Sequence, residues 1–506
     1  MKRVLTLACI GVFGSIAAAV LVGAAPGGSL WLRGWPGYGY NSQHTAKSPT
    51  AAQPLVQIHW QTPVDLQPPG SGIHYGSPLV TARNNVIVTV KVQTNGTFRI
   101  DCRRGSDGLL LYTQNTDYIQ PQWGWVPSCG STLTPQYALA TPAAGGTLLL
   151  RANADSATSP VVRQAFFGLA NYNAAPATYN ANVKICTPIT SDRRGNLFFG
   201  FLVNGANPAG LVSGIARVNP HGGGVWTSAA TAAADPGMTQ IPLNCAPAIS
   251  NDGQVVYVGV SNGNSGYLVG LSSATLAPLY RVKLKDPTSG NDAWVTDYST
   301  ASPTVGPDGE VYYGVLESPF PNNNDRGWMT HFNSTLTTTL TPGAFGWDDT
   351  ASTFPSSAVP QYAGSSSYLL LCKYNNYAGI GSGDGVNKVA VLDPHATQID
   401  PITGATIMKE ILIKAGPTPD PPNIGPNTPN AVREWCINTA AVDVANKGAI
   451  VNNEDGKVYR WDFATNTLNQ VVTLTAGVGE AYTPTCIGPD GQIYAINNAI
   501  LFAVGQ

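Results

Sequence analysis

The sequence predicts an all-β chain folded as a single eight-bladed β-propeller, closed by an outer strand from near its N-terminus. Three observations lead there. One phrase recurs along the chain, and its copies keep a nearly constant spacing. The composition, with 55 Gly and 39 Pro among 506 residues and only 11% charged side chains, suits many short strands joined by turns. No stretch carries the sustained 3.6-residue apolar period of a long helix.

The phrase reads as a small residue, a proline, a short apolar stretch, a turn ending in Gly, and an alternating strand. Clear copies are CTPITSDRRGNLFFG from Cys186, CAPAISNDGQVVYVG from Cys245, ASPTVGPDGEVYYG from Ala301 and YTPTCIGPDGQIYAI from Tyr482. Weaker copies begin at Gly76, Leu133, Ala358 and Asn438. The anchors are Pro78, Pro135, Pro188, Pro247, Pro303, Pro360, Ala440 and Pro484. The first six stand roughly 53–59 residues apart, a regularity that signals a repeat architecture. The long interval after Pro360 holds AGPTPDPPNIGPNTPNA, a proline-rich loop, and the short interval after Ala440 restores the average. A seven-bladed ring with one misread copy is the alternative.

Each repeat has room for four strands. In the fifth, SPTV is the innermost strand and EVYYGVL the second, joined through PDG. A proline opening a strand is tolerated because the first residue need not donate to the ladder. FRIDC and LLLYTQN form the outer pair of the first blade, and KVYRWDF and NQVVTLT that of the seventh. The eighth copy has only three strands (TPTCI, QIYAIN and ILFAV) before the chain stops. A ring built this way exposes an edge. VQIHWQTPV (Val56 to Val64) has no partner of its own and is expected to complete blade eight.

Three regions follow: residues 1–25 as a signal peptide, 26–55 as a lead-in, and 56–506 as the propeller. MKR is a basic n-region, Val4 to Val22 carries no charge, and VGAAPGG supplies small residues for cleavage after Ala25. The expected location is secreted, periplasmic or cell-surface; the long apolar run leaves an uncleaved N-terminal anchor as the alternative. The net charge is −2, with no basic cluster longer than two arginines, which argues against nucleic acid as a partner. Seven cysteines follow the leader, and none has metal-ligand spacing. Positions near neighbouring inner strands or one blade junction suggest the pairs Cys186–Cys245, Cys436–Cys486 and Cys102–Cys129, with Cys372 free.

The repeat with its Pro and DG turn resembles the quinoprotein-type (pyrroloquinoline-quinone-like) β-propeller superfamily. So does GWPGYGYNSQHTAKSP (Gly34 to Pro49), which is similar to the segment preceding the closing strand in those proteins and implies a lead-in lying across the ring. Some members of that superfamily are quinone-dependent dehydrogenases and others are binding scaffolds. The dehydrogenases carry a calcium site beside the quinone and, in many cases, a vicinal disulfide. This sequence has no adjacent cysteines, and WDDTAS (Trp347 to Ser352) resembles a tryptophan–aspartate motif of those enzymes over too short a stretch to carry a role across. No quinone is expected.

The segments before the inner strands are expected to gather at the channel mouth. They supply His74 and Tyr75, Trp123 and Trp125, Lys184, Asn244, Asp297 and Tyr298, Trp347 with Asp348 and Asp349, Arg433 with Glu434 and Trp435, and Glu480 with Tyr482. In a charge-poor chain this concentration predicts a recognition face for an extracellular polymer or protein. Trp125, Lys184, Trp347, Asp348, Arg433, Trp435 and Tyr482 are the binding candidates. The alternative is a polysaccharide-cleaving enzyme, lyase or glycoside hydrolase, with Asp297, Asp349, Glu434 or Glu480 as acid or base and His74 or Tyr75 assisting. GIGSGDGVNK (Gly379 to Lys388) offers oxygens for calcium but a single carboxylate, so it is expected as an inter-strand turn. His221 and His395 sit in turns without ligand partners at useful spacing, and no metal site is expected. No GxSxG elbow accompanies the serines.

Overall fold

The computed structural model describes residues 33–68, 75–93, 97–121, 129–296, 301–437, 439–479 and 481–506. Eight antiparallel sheets follow one another along the chain. Blade one uses Leu79–Val80, Asn85–Lys91, Thr97–Arg104 and Leu110–Ile119; blade seven uses Ala441–Asp443, Gly448–Asn453, Lys457–Asp462 and Thr467–Thr473. Blade five has three regular strands, Thr304–Val305, Val311–Val315 and Trp328–Phe332. Its outer edge is completed by isolated bridges from Met329 to Gly343 and from Phe332 to Thr339.

Closure is as expected. Gln57–Pro63 lies antiparallel beside Ile500–Gly505, running from Gln57 opposite Gly505 to Pro63 opposite Ile500. The N-terminal strand therefore becomes the outer strand of a blade whose other three strands end the chain.

Two anchors are corrected. The inner strand of blade two is Thr132–Leu133, ahead of Pro135, and that of blade six is Ser352–Pro355, ahead of Pro360. In both cases the proline follows the inner strand, in the connection to the next one. These two phrases lack the DG turn, so nothing local marked where the inner strand stopped. Short helices at Leu169–Ala174 and Pro176–Asn182 lead into Val183–Ile185, which pairs with the second strand of blade three. Proline at the first position of the second helix costs no hydrogen bond there.

The cysteine pairing is also corrected: Cys102, Cys129, Cys186, Cys245, Cys372, Cys436 and Cys486 are all free, buried thiols. Cys186 and Cys245 occupy matching positions in successive blades, so each side chain is directed into its own surroundings. Cys186 Sγ lies 3.9 Å from the Ile241 carbonyl, whereas Cys245 Sγ accepts from Gly259 N at 3.4 Å. Cys486 faces blade one, 3.2 Å from the Pro78 carbonyl.

The lead-in does more than lie across the ring. Every propeller inner strand is an edge whose peptide groups face the channel and need partners. Trp35 exchanges two backbone hydrogen bonds with Val80, and Pro36, Ser42, Gln43 and Thr45 accept from Leu133, Ile249, Val305 and Thr353. Val442 donates to Ala46 and accepts from Ser48, and Gln53 donates to Gly491. One strap of about twenty residues thus ties the inner edges of blades one, two, four, five, six and seven in chain order and reaches the first turn of blade eight. Its curvature needs left-handed backbone at Gly39 (φ 57°), Tyr40, His44 and Ala46. A Cβ at Gly39 would sit 2.9 Å from His44 Cα, so glycine is required there on two counts.

Candidate functional site

The strap approaches the ends of the inner strands, and the segments preceding those strands form the opposite mouth. Tyr38 reaches from the strap into the channel: its hydroxyl meets Thr350 Oγ1 at 2.9 Å, and the phenol also feels Thr439, Ser302 and Asp349. Small hydroxyl residues immediately before several inner strands therefore form the floor of the mouth.

Above that floor, blades five to eight bring several sequence candidates together. Asp348 and Asp349 precede the inner strand of blade six, and Lys373 ends its second strand, Tyr368–Lys373. Lys373 is fully buried and its ammonium is ion-paired with the Asp348 carboxylate. Burial works against that charge, but Asp348 holds the lysine protonated, above its ordinary value. The ammonium also lies 5.4 Å from the Phe345 ring centroid and 5.3 Å from that of Tyr482. Lys373 N donates to Asp349 Oδ2 at 3.1 Å. Burial pushes the Asp349 carboxyl well above the usual range, Lys373 offsets part of this, and Asp348 adds to it. Burial also raises the Asp348 carboxyl, and the Lys373 ammonium opposes that rise, so the two carboxyls compete for one buried cation.

Two further acids complete the cluster. Glu317 is fully buried and accepts from Asp325 N at 2.7 Å and Gly327 N at 2.8 Å. Asp325 is half-buried; burial, then the charges of Glu317 and Asp348, push its carboxyl up to about 7. Tyr377 feels Glu434, Asp348 and Asp325 together, and its phenol is raised well above the ordinary value, mainly by burial. Perturbed carboxyls gathered in a channel are a functional-site signal.

The remaining candidates divide. Trp347 is half-buried against the blade-five core. Arg433 pairs with Asp420 at 2.9 Å and Glu454 at 3.5 Å, which holds the proline-rich loop against blade seven. Trp435 has no exposed surface; it packs edge-on to Tyr459, with ring centroids 5.8 Å apart. As a binding candidate it therefore offers a ligand no exposed ring face. Tyr75 lies elsewhere on the ring, donating to Asp65 Oδ2 at 3.1 Å, and Asp65 is paired with buried Lys91 at 3.2 Å. Burial first and then Asp65 raise its phenol, so it is no base at neutral pH. Lys184 reaches the Gln120 carbonyl at 3.5 Å. His74, Trp125, Asp297 and Glu480 lie outside the described residues, as do Trp123 and Tyr298.

Sequence reasoning missed Lys373, Glu317, Asp325 and Tyr377. Lys373 had a signal: a lysine ending the apolar strand YLLLCK must find a buried counter-charge. The loop PNNNDRG gave no hint that Asp325 feels the charge of Asp348. GIGSGDGVNK is an inter-strand connection, and its Asp384 carboxylate accepts from Asn376 Nδ2 at 2.7 Å and Val386 N at 2.9 Å.

No protein-family model and no curated protein matches the sequence. Solved structures do match. A europium-containing methanol dehydrogenase superposes with a TM-score of 0.56 at 10% identity, covering 91% of this chain and 89% of that one. The quinohemoprotein alcohol dehydrogenase from Comamonas testosteroni gives 0.54 at 12% identity, over 97% and 84%. A quinohemoprotein alcohol dehydrogenase from Pseudomonas putida HK5 gives 0.51 at 12% identity, over 95% and 77%. At such identities the likeness is one of fold, not of site chemistry. The chain has the quinoprotein-type eight-bladed β-propeller fold.

Proposed function

We propose that this protein is a secreted propeller that binds an extracellular polymer or protein at its channel mouth, with no bound quinone. One observation carries the reading: Lys373 and Arg433, two cations at the mouth, are committed to internal pairs on a rigid wall. Lys373 is held by Asp348, and Arg433 by Asp420 and Glu454. Groups locked this way present shape, hydrogen-bonding edges and the Trp347 and Tyr482 rings rather than mobile reactive side chains. A quinone with its metal fits these residues poorly. The acid of WDDTAS that would serve a dication is buried against an ammonium.

A second reading rests on Asp325. A carboxyl pushed up to about 7 by burial and by neighbouring acids is the pattern of a general acid, as glycoside cleavage requires. Purified protein applied to a panel of glycans and extracellular proteins separates the two. Retention without new reducing or unsaturated ends, weakened at least tenfold by Trp347→Ala, supports the binding reading. Cleavage abolished by Asp325→Asn, Asp349→Asn or Glu434→Gln replaces it with the enzyme. Retention unaffected by Trp347→Ala together with Tyr482→Ala places the site away from the mouth and sinks both.

A further inference from the structure

We propose that Asp308, Glu310 and His395 bind one divalent transition-metal ion, zinc in the first instance, with His331 at the inner wall of the site. The cluster lies at the opposite end of the blade-five inner strand from the mouth. Asp308 and Glu310 stand in the turn between Thr304–Val305 and Val311–Val315, and His395 projects from a bulge in the third strand of blade six. Ligand atoms of Asp308, Glu310 and His395 all lie within 4.8 Å of one another. His395 Nε2 is 2.9 Å from Glu310 Oε2 and 3.4 Å from Asp308 Oδ2. His331 Nε2 is 2.8 Å from the same Glu310 oxygen, and its side chain is 1% exposed.

The protons decide what this arrangement is for. His331 Nδ1 lies 3.1 Å from the Thr341 carbonyl, which can only accept, so that nitrogen carries a proton. His395 Nδ1 lies 3.3 Å from Ser366 Oγ, whose own proton is directed to Asp393, so it also donates. A neutral imidazole protonated at Nδ1 turns an Nε2 lone pair outward. Both rings therefore aim a lone pair at a carboxylate, which is repulsive unless a cation lies between or each ring takes a second proton. One metal ion held by Asp308, Glu310 and His395 removes the His395 contact directly and, by drawing on the Glu310 carboxylate, weakens the repulsion that the His331 lone pair meets. Histidines fixed through Nδ1–H to an oxygen, with Nε2 free to ligate, are the usual outer-shell support of a metal centre. Tyr368 adds to it by donating to Asp308 Oδ1 at 3.0 Å.

The ligand set selects the ion. Imidazole with carboxylate suits zinc and its neighbours, whereas calcium and magnesium take oxygen sets. Tetrahedral ligands about 2.0–2.2 Å from zinc stand roughly 3.3–3.5 Å apart, so the 2.9 Å contact opens by only a few tenths of an ångström on loading. His395 and Asp308 remain 37% and 36% exposed, which gives the ion entry and leaves a position for water. Loading would clamp blade five to blade six.

The test uses the untagged full chain, stripped with a chelator and dialysed against zinc or cobalt. One equivalent of zinc retained at micromolar free ion, a tetrahedral cobalt absorption band and a raised Tm are expected. Asp308→Asn and His395→Gln each lower zinc affinity at least tenfold, while His221→Gln leaves it unchanged. Circular dichroism checks that each variant is folded. Failure to retain zinc at 0.1 mM free ion overturns the assignment, as does stoichiometric binding unchanged in the Asp308→Asn/His395→Gln double variant.

Discussion

Cutting the Lys373–Asp348 pair should cost far more when one partner is removed than when both are. Lys373→Met leaves the Asp348 carboxylate in a site where its residue is 3% exposed, and Asp348→Asn leaves a fully buried ammonium without its counter-charge. Removing one member of such a pair costs ~3–5 kcal/mol because the survivor is an uncompensated buried charge. The Phe345 and Tyr482 ring faces soften this for the lysine but carry no full charge. With neutral side chains at both positions, packing is nearly conserved and about 1–2 kcal/mol is lost. The coupling in a double-mutant cycle is therefore at least ~4 kcal/mol, against a few tenths for independent sites. A folded ring of this size has an unfolding entropy near 1 kcal/mol per degree, so each single variant should lower Tm by about 3–5 °C and the double variant by less. Differential scanning fluorimetry, with equilibrium urea unfolding at the same pH, measures all four corners. Additive losses, or a double variant less stable than both singles, would refute the argument that this pair is charged and closed to water.

Four other outcomes follow from the same geometry. His44 is fully buried, burial lowers its pKa to about 4, and its Nδ1 meets the Pro303 carbonyl at 2.7 Å beside the Tyr38 ring. The unfolded chain then binds more protons than the folded one between pH 6.5 and 4, so stability falls with acidification through that window, by about 2 kcal/mol at pH 5; His44→Phe should remove this slope in pH-dependent unfolding. Asp325 has the opposite sign: its folded pKa of about 7 exceeds the ordinary 3.8, so stability declines as pH rises between those values. Asp325→Asn should flatten that decline, seen as Tm against pH. Deleting the chain through Val64 removes the strap and the outer strand of blade eight, and should yield aggregated or unfolded protein by size exclusion and circular dichroism; a cooperative monomeric melt would contradict the closure. The seven thiols should resist a thiol reagent in the native state, because all are buried and burial pushes Cys245, for one, up to about 11, yet react fully in denaturant without prior reduction.

The ring was legible because propeller information is local and repeated. Pro303, the PDG turn and EVYYGVL mark one inner hairpin without reference to any distant residue, and the same marks recur at Pro188, Pro247 and Pro484. Closure was legible by counting, since three strands at the end and one unpartnered strand at Val56 to Val64 complete a blade. Where the marks were incomplete, as at Pro135 and Pro360, the inner strand was misplaced. Polar crowding at the mouth was legible too, because the residues before each inner strand converge in any such ring.

Contacts between blades were not legible, since they depend on side-chain direction across separations that no spacing encodes. Asp325 feels the charge of Asp348 from the neighbouring blade. His395 meets Glu310 from 85 residues away. Cys186 and Cys245 share a sequence position yet never meet, because matching positions in successive blades carry their side chains round the ring in the same sense. The sequence by itself determined the number of blades, their strand order and the ends that join. Only the tertiary structure decided which charges are paired, which tryptophan is core, and where two histidines turn their free nitrogens toward carboxylates, because burial and proton position are properties of the packed ring rather than of any segment of it.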